Sequence, residues 1–328
     1  MTLPRLRFGL VWNESSLAAR VRSPTTRGEG INTMTYVHDF ALNLADYGLP
    51  TRDELVKLRI WDIHYHGFAS RDGDGVRQHA ETMRYVERMG IERVFSLEIG
   101  GHLDRPFTPT GMEAQQLEIL ARDGHRVSGL TCVDPSDPER SRDKIVKWVR
   151  NGPCVGIKYA GHDRNEFRCS HPNNDSIISM AAELNALIYI HSWLKVGGEP
   201  RRPGGGNGAG EATPMDVVLL AKRFPDVPLI CGHSGGDWEL GIRTIRPYKN
   251  IYLEFAGSDP HSGAVDLAVK EIGADRIVWG GHIPSRSYAT ELSKVLDADL
   301  THAQRMLILG GNLRRIATPI FQKKGYKI

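Results

Sequence analysis

A single (β/α)8 barrel is the fold class that the sequence predicts, and three observations predict it. Short apolar, β-branched runs alternate with stretches of helical periodicity from residue 58 onward. Eight such runs are spread over about 260 residues, the length of one barrel of this kind. Chemically able side chains recur at the carboxyl ends of those runs, which is where a parallel barrel gathers its chemistry.

Residues 1–55 read as an N-terminal extension, because VRSPTTRGEGINT is polar and turn-rich and only one helix-like patch, MTYVHDFALNLADYG, follows it. The barrel occupies 56–328. Its strands are expected at LRIWDIH, RVFSLEI, VSGLTCV, CVGIKYA, ALIYIHS, VPLICGH, IYLEFAG and RIVWGGH. Helical patterns lie between them at VRQHAETMRYVERMG, SRDKIVKWVRN, DSIISMAAELN, MDVVLLAKRF and AVDLAVKEIG, several of them stopped by Gly or Pro. A Gly-rich loop, residues 195–214, separates the fifth strand from its helix. It carries neither G-x-x-x-x-G-K-[ST] nor a strand followed by G-x-G-x-x-G, so it reads as a lid over the barrel mouth or as a plain insertion, and not as a phosphate cradle.

Composition narrows the function. The 42 basic and 39 acidic residues are interspersed and leave a net charge of +3, so no basic stripe invites a nucleic-acid backbone. No apolar run approaches the roughly 20 residues that span a bilayer, and no apolar signal region opens the chain. The four cysteines have no C-x-x-C spacing, which suits reduced thiols and a cytoplasmic location. The expected partner is a small-molecule substrate, with neither nucleic acid nor membrane, and self-association into a homo-oligomer is left open.

The candidate site begins with WDIHYHG. Side chains two apart on a strand share a face, so His64 and His66 would deliver two imidazole nitrogens into one volume, as a divalent metal requires. Taken alone, the pair reads equally as two histidines satisfied by ordinary hydrogen bonds. Context favours the metal: Lys158, His191, His233 and His282 end strands four, five, six and eight, and a barrel brings those ends to one rim. Lys195 and Arg286 lie on rim loops and would clamp an acidic substrate or simply hold water, and Trp193 would wall the pocket or pack in the core.

These residues carry a resemblance. DIHYH, GIK, the apolar run ending in His191, RFPDVPLICGHSGG and the closing ILGGNLRRI are similar to the metal-dependent amidohydrolase superfamily, in particular to the amidohydrolase-related branch that includes aminocarboxymuconate semialdehyde decarboxylase. The resemblance spans about residues 58–318 and implies a metal bound by His64, His66 and His191, most simply one zinc ion. It implies that His233 contacts substrate, acts as an acid or base, or serves a second metal. It also implies that Lys158 binds a second ion only when carboxylated, and otherwise remains a plain ammonium for a substrate carboxylate or for a rim acid such as Glu98 or Glu254.

The chain departs from the family at strand eight, where GGHIP puts His282 in place of the usual Asp. His282 is therefore expected as a ligand or a base. The main functional expectation is a hydrolase in which metal-activated water attacks an amide, ester or lactone carbonyl. Non-oxidative decarboxylation of a small carboxylic acid is the alternative, and a barrel that has lost turnover through His282 is the third.

Overall fold

The computed structural model describes residues 50–67, 74–101, 111–161, 166–195, 206–257 and 262–328. The expected N-terminal extension up to residue 49 and positions 196–205 of the Gly-rich loop lie outside the described residues.

The expected alternation is present. The strands are β1 (Ile60–Tyr65), β2 (Ile91–Ile99), β3 (Val127–Val133), β4 (Gly156–Tyr159), β5 (Leu187–Leu194), β6 (Leu229–Gly236), β7 (Ile251–Glu254) and β8 (Ile277–Val278). They pair in chain order, every pair parallel. Past β8 the chain returns to β1: the Ile63 N–H donates to Trp279 O at 3.2 Å and the His66 N–H to Ile283 O at 2.8 Å, which brings the ring of strands round to its start.

The helices among the described residues are α1 (Arg52–Lys57), α2 (Gly75–Arg88), α3 (Met112–Asp123), α4 (Pro138–Lys144), α5 (Asp175–Glu183), α6 (Pro214–Arg223), α7 (Trp238–Ile245), α8 (Ala264–Ile272), α9 (Tyr288–Leu296), α10 (His302–Met306) and α11 (Asn312–Lys324). Most of their starts follow from side chains that satisfy the first free backbone N–H groups. Thr51 with Glu54, and Thr213 with Asp216, close capping boxes on α1 and α6. The pattern SRDKIVKWVRN does not stay α-helical. After α4 the chain widens into a π-helical turn, Ile145–Arg150, which buries Ile145, Trp148 and Val149 together.

Two apolar regions hold the fold. The outer one lies between strands and helices and includes Ile60, Tyr65, Val94, Ile157, Val217 and Leu253. The inner one gathers Trp61, Ile63, Phe95, Leu130, Leu187 and Ile230 from the strands with Leu313, Ile320 and Phe321 of α11. Trp61 stacks on Phe321 with ring centroids 5.5 Å apart. Because Trp61 sits near the amino end of β1, α11 forms the floor of the barrel, opposite the rim that carries the histidines. All four cysteines are buried and free. No helix among the described residues is long and apolar enough to cross a membrane.

Strand eight differs from its expected span. RIVWGGH suggests a strand through residue 282, but the ladder ends at Val278 and His282 adopts φ 51°. The two preceding glycines allow this departure from the sheet. A Cβ on Gly280 would lie 2.3 Å from Glu254 Oε1, and one on Gly281 would lie 2.1 Å from Tyr288 Cε1.

Candidate metal centre at the barrel mouth

Irregularities in the strands aim the histidines. The β1–β2 register slips between Asp62 and Tyr65, so Trp61 and Ile63 belong to the inner core while Tyr65 turns outward, its hydroxyl 2.9 Å from His79 Nδ1 of α2. His64 and His66 both face the cavity instead, with their Nε2 atoms 2.9 Å apart. On β6 one extra residue intervenes where Ser192 pairs with His233 but Trp193 pairs with Gly235. At this bulge His233 and Ser234 take φ 61° and 44°, left-handed values that are costly for residues with a Cβ. The strained backbone turns His233 inward. It is held there by its Nδ1, 2.5 Å from Ala256 O.

One cavity of about 1450 Å³ is lined by His64, His66, Lys158, His191, His233 and His282. Trp193 and Arg286 line it as well, and Arg77, Arg88 and Glu81 extend it along α2. The sequence-predicted residues therefore meet, with one exception. Lys195 does not line the cavity; it stands at the end of β5, where its amine pairs with Glu211 at 2.9 Å. Ligand atoms of His64, His233 and His282 lie within 4.8 Å of one another. His66 flanks His64 and His282, and the ring of His191 lies 4.3 Å from that of His233.

The hydrogen bonds of these rings decide what they can bind. His66 Nδ1 is 3.2 Å from Glu98 Oε1, His64 Nδ1 is 2.6 Å from the Tyr189 hydroxyl, and His282 Nδ1 meets Ser285 Oγ. The Ser285 hydroxyl donates to His282 O at 2.9 Å, so its oxygen accepts from the ring. With protons on these Nδ1 atoms, the Nε2 lone pairs turn to the cavity. His64 and His66 then oppose two lone pairs at 2.9 Å, an arrangement that a shared cation relieves. The donor set fits a divalent metal.

Electrostatics reinforce this. Burial, with the neighbouring imidazoles and Lys158, holds His64 and His233 well below the ordinary imidazole value of 6.5. Burial beside His66 lowers His282 to about 3. All three are thus neutral donors at physiological pH. Two carboxyls beneath them are fully buried. Burial pushes Asp62 up to about 6, against hydrogen bonds from the N–H groups of Gly281 and His64 and the hydroxyl of Tyr288. Burial also pushes Glu254 up to about 7, although the N–H groups of His233 and Ala256 and the Tyr189 hydroxyl donate to it.

Glu254 is therefore not a rim acid, and neither it nor Glu98 pairs with Lys158. Lys158 is 2% exposed, and no described residue offers its amine a hydrogen bond or an ion pair. An ammonium desolvated to this degree calls for an anion. The sequence reading overlooked Tyr189 and Asp62 and misplaced Glu254, because a tyrosine within LIYIHS and a carboxyl at the start of a strand look like packing and solvent-facing positions.

Comparison with known proteins is consistent with this geometry. A family model described as Amidohydrolase (Amidohydro_2) matches residues 61–316. No curated protein matches the chain. Among solved structures, 2,6-dihydroxybenzoate decarboxylase from Rhizobium is similar at 16% identity and a TM-score of 0.59, over 79% of this chain and 98% of that one. The 5-carboxyvanillate decarboxylase of Novosphingobium aromaticivorans, solved with manganese and 4-hydroxy-3-methoxy-5-nitrobenzoic acid, is similar at 16% identity and a TM-score of 0.56, over 73% and 79% of the two chains. An amidohydrolase from Burkholderia multivorans with bound zinc is similar at 14% identity and a TM-score of 0.56, over 79% and 99%. At these identities the likeness speaks for the fold.

Proposed function

Because this chain belongs to the amidohydrolase family, we propose that it is a metal-dependent enzyme that removes carbon dioxide from a small carboxylic acid without oxidising it. The observation that carries this reading is the charge of the cavity. Its metal-facing donors are neutral imidazoles, the usual strand-eight carboxylate is replaced by His282, and the buried amine of Lys158 has no hydrogen-bond or ion-pair partner among the described residues. Such a site attracts an anionic substrate more readily than it takes a proton from water.

His64, His66, His233 and His282 would hold the metal, with His191 beside His233. A bound divalent cation supplies Lewis acidity, drawing electron density from a substrate oxygen near the carboxylate. The chain's own residues do the rest. Lys158 pairs with the substrate carboxylate, and Trp193, whose ring lies 6.1 Å from that of His233, packs along the substrate and excludes water. The bond from carbon to the carboxylate breaks, its electron pair stays on the carbon, and a proton replaces the lost carbon dioxide. That proton comes from solvent, and Glu98, which lines the cavity beside His66 and is partly exposed, is placed to relay it to the carbon.

Hydrolysis is the second reading, and Glu98 is what favours it: a partly exposed carboxyl beside His66 is also an acceptor for a proton from water. One assay separates the two. Protein loaded with zinc or manganese is incubated with hydroxybenzoates, the substrate class named for the decarboxylase relatives, and with aryl esters and lactones. The expected result is carbon dioxide release from the acids, lost on chelation, with KM raised about tenfold or more in Lys158→Met, the loss of one charge-assisted contact. Ester or lactone cleavage without carbon dioxide release would establish the hydrolase instead.

A further inference from the structure

Beneath the cavity lies a hydrogen-bonded chain that joins His64 to two side chains, Tyr189 and Glu254, to which the reaction above gives no part. Tyr189, Glu254 and His64 are each fully buried. Glu254 Oε2 accepts from the Tyr189 hydroxyl at 2.8 Å and from the His233 N–H at 2.8 Å, while Oε1 accepts from the Ala256 N–H at 2.5 Å. A phenol has one proton to give. Given to Glu254, it leaves Tyr189 Oη as an acceptor for the nitrogen 2.6 Å away, His64 Nδ1. The direct separation of His64 Nδ1 from Glu254 Oε2 is longer, 3.5 Å, so the tyrosine is the link.

The surrounding strands leave room for this chain. A Cβ on Gly232 would fall 2.1 Å from Tyr189 Oη, and one on Gly280 would fall 2.3 Å from Glu254 Oε1 and 2.7 Å from His64 Cβ. Both glycines lie just ahead of a cavity histidine, Gly232 before His233 and Gly280 two residues before His282. Side chains there would displace the linking groups and not merely crowd them.

We propose that Tyr189 and Glu254 are positioning residues that hold the His64 proton on Nδ1 and keep its Nε2 lone pair turned into the cavity. Only the consequence for metal affinity rests on the metal-centre reading above; the tautomer stands without it. Glu254 also accepts from the backbone of His233, so one carboxyl orders two of the three imidazoles whose ligand atoms cluster.

The test uses the full chain labelled with 15N-histidine, free of metal, with the His64 signals identified by their loss in His64→Asn. Long-range 15N–1H correlations report which ring nitrogen bears the proton. The expected result is Nδ1–H in the wild type and a shift towards Nε2–H in Tyr189→Phe. Zinc affinity, measured by competition with a chelating dye, should fall about 10- to 100-fold in Tyr189→Phe, the usual cost of losing such a partner. Nε2–H in the wild type overturns the proposal, as does unchanged zinc affinity in Tyr189→Phe. If the wild type takes up no zinc yet carries Nδ1–H, the metal-centre reading fails and the positioning role stands. The tautomer of the wild type is read without any substitution, so a variant that folds poorly leaves the test intact.

Discussion

His282 concentrates what separates this chain from the pattern it resembles. Its φ of 51° lies in the region where Asp and Asn are tolerated better than most residues, so a carboxylate can replace the imidazole without opposing the backbone. Such an exchange adds one negative charge to a cluster of neutral nitrogens. His282→Asp should therefore tighten manganese binding by about tenfold and narrow any preference for zinc, because an oxygen ligand suits the harder ion. Isothermal titration of both metals checks this, and unchanged manganese affinity would place His282 away from the ion. His66, His191, His233 and His282 were legible in the sequence because each follows an apolar run at a strand end. Tyr189 was not, because nothing local distinguishes a tyrosine that links two polar groups from one that packs. The partner of Lys195 was hidden for a related reason: sequence places the residue next to the rim but cannot show that Glu211 holds its amine.

At the scale of the element, strands β1 and β6 deliver their histidines through register slips, and β8 delivers His282 by ending early. The alternating pattern made all eight strands readable, since β-branched runs bounded by turns have few other homes in a chain of this length. It could not show the slips, because a bulge depends on one residue's pairing across the sheet. Glycines are the trace that a slip or a close approach leaves in sequence: Gly232, Gly235 and Gly236 crowd the end of β6, and Gly280 and Gly281 follow β8. Gly232→Ala tests this directly. Its methyl group would meet the Tyr189 hydroxyl, so the variant should lose about 1–3 kcal/mol of stability by overpacking and should bind zinc more weakly than wild type. Urea unfolding together with dye competition measures both, and a variant of wild-type stability and affinity would show that the strand gives way freely.

At the scale of the molecule, the buried ionisable groups couple folding to pH. His64, His233 and His282 bind protons less readily in the folded state than the free imidazole value of 6.5 allows, so their contribution is full above about pH 6.5 and is lost as pH falls below it. Asp62 and Glu254, raised to about 6 and about 7, act in the opposite sense: the stability they give is present at low pH and is lost as pH rises through those values. Three imidazoles outweigh two carboxyls in acid. Between pH 6 and 4.5 the unfolded chain takes up more protons than the folded one, so the metal-free protein should lose unfolding free energy as pH falls, on the order of 1 kcal/mol per pH unit. Urea titrations in chelator across that range check this, and a flat or rising profile would contradict the neutrality of the imidazole cluster.

The floor formed by α11 carries a consequence for how the chain is made. Trp61 belongs to the first strand and Phe321 to the last helix, yet their rings stack. During synthesis the earliest barrel residues wait for some of the latest, and a nascent polypeptide that has emerged only through β7 has neither the returning backbone at Trp279 and Ile283 nor the aromatic lid over its indole. A stop codon ahead of Leu313 would leave a translation product whose barrel is open at the bottom and greasy inside, a natural client for chaperones and proteases.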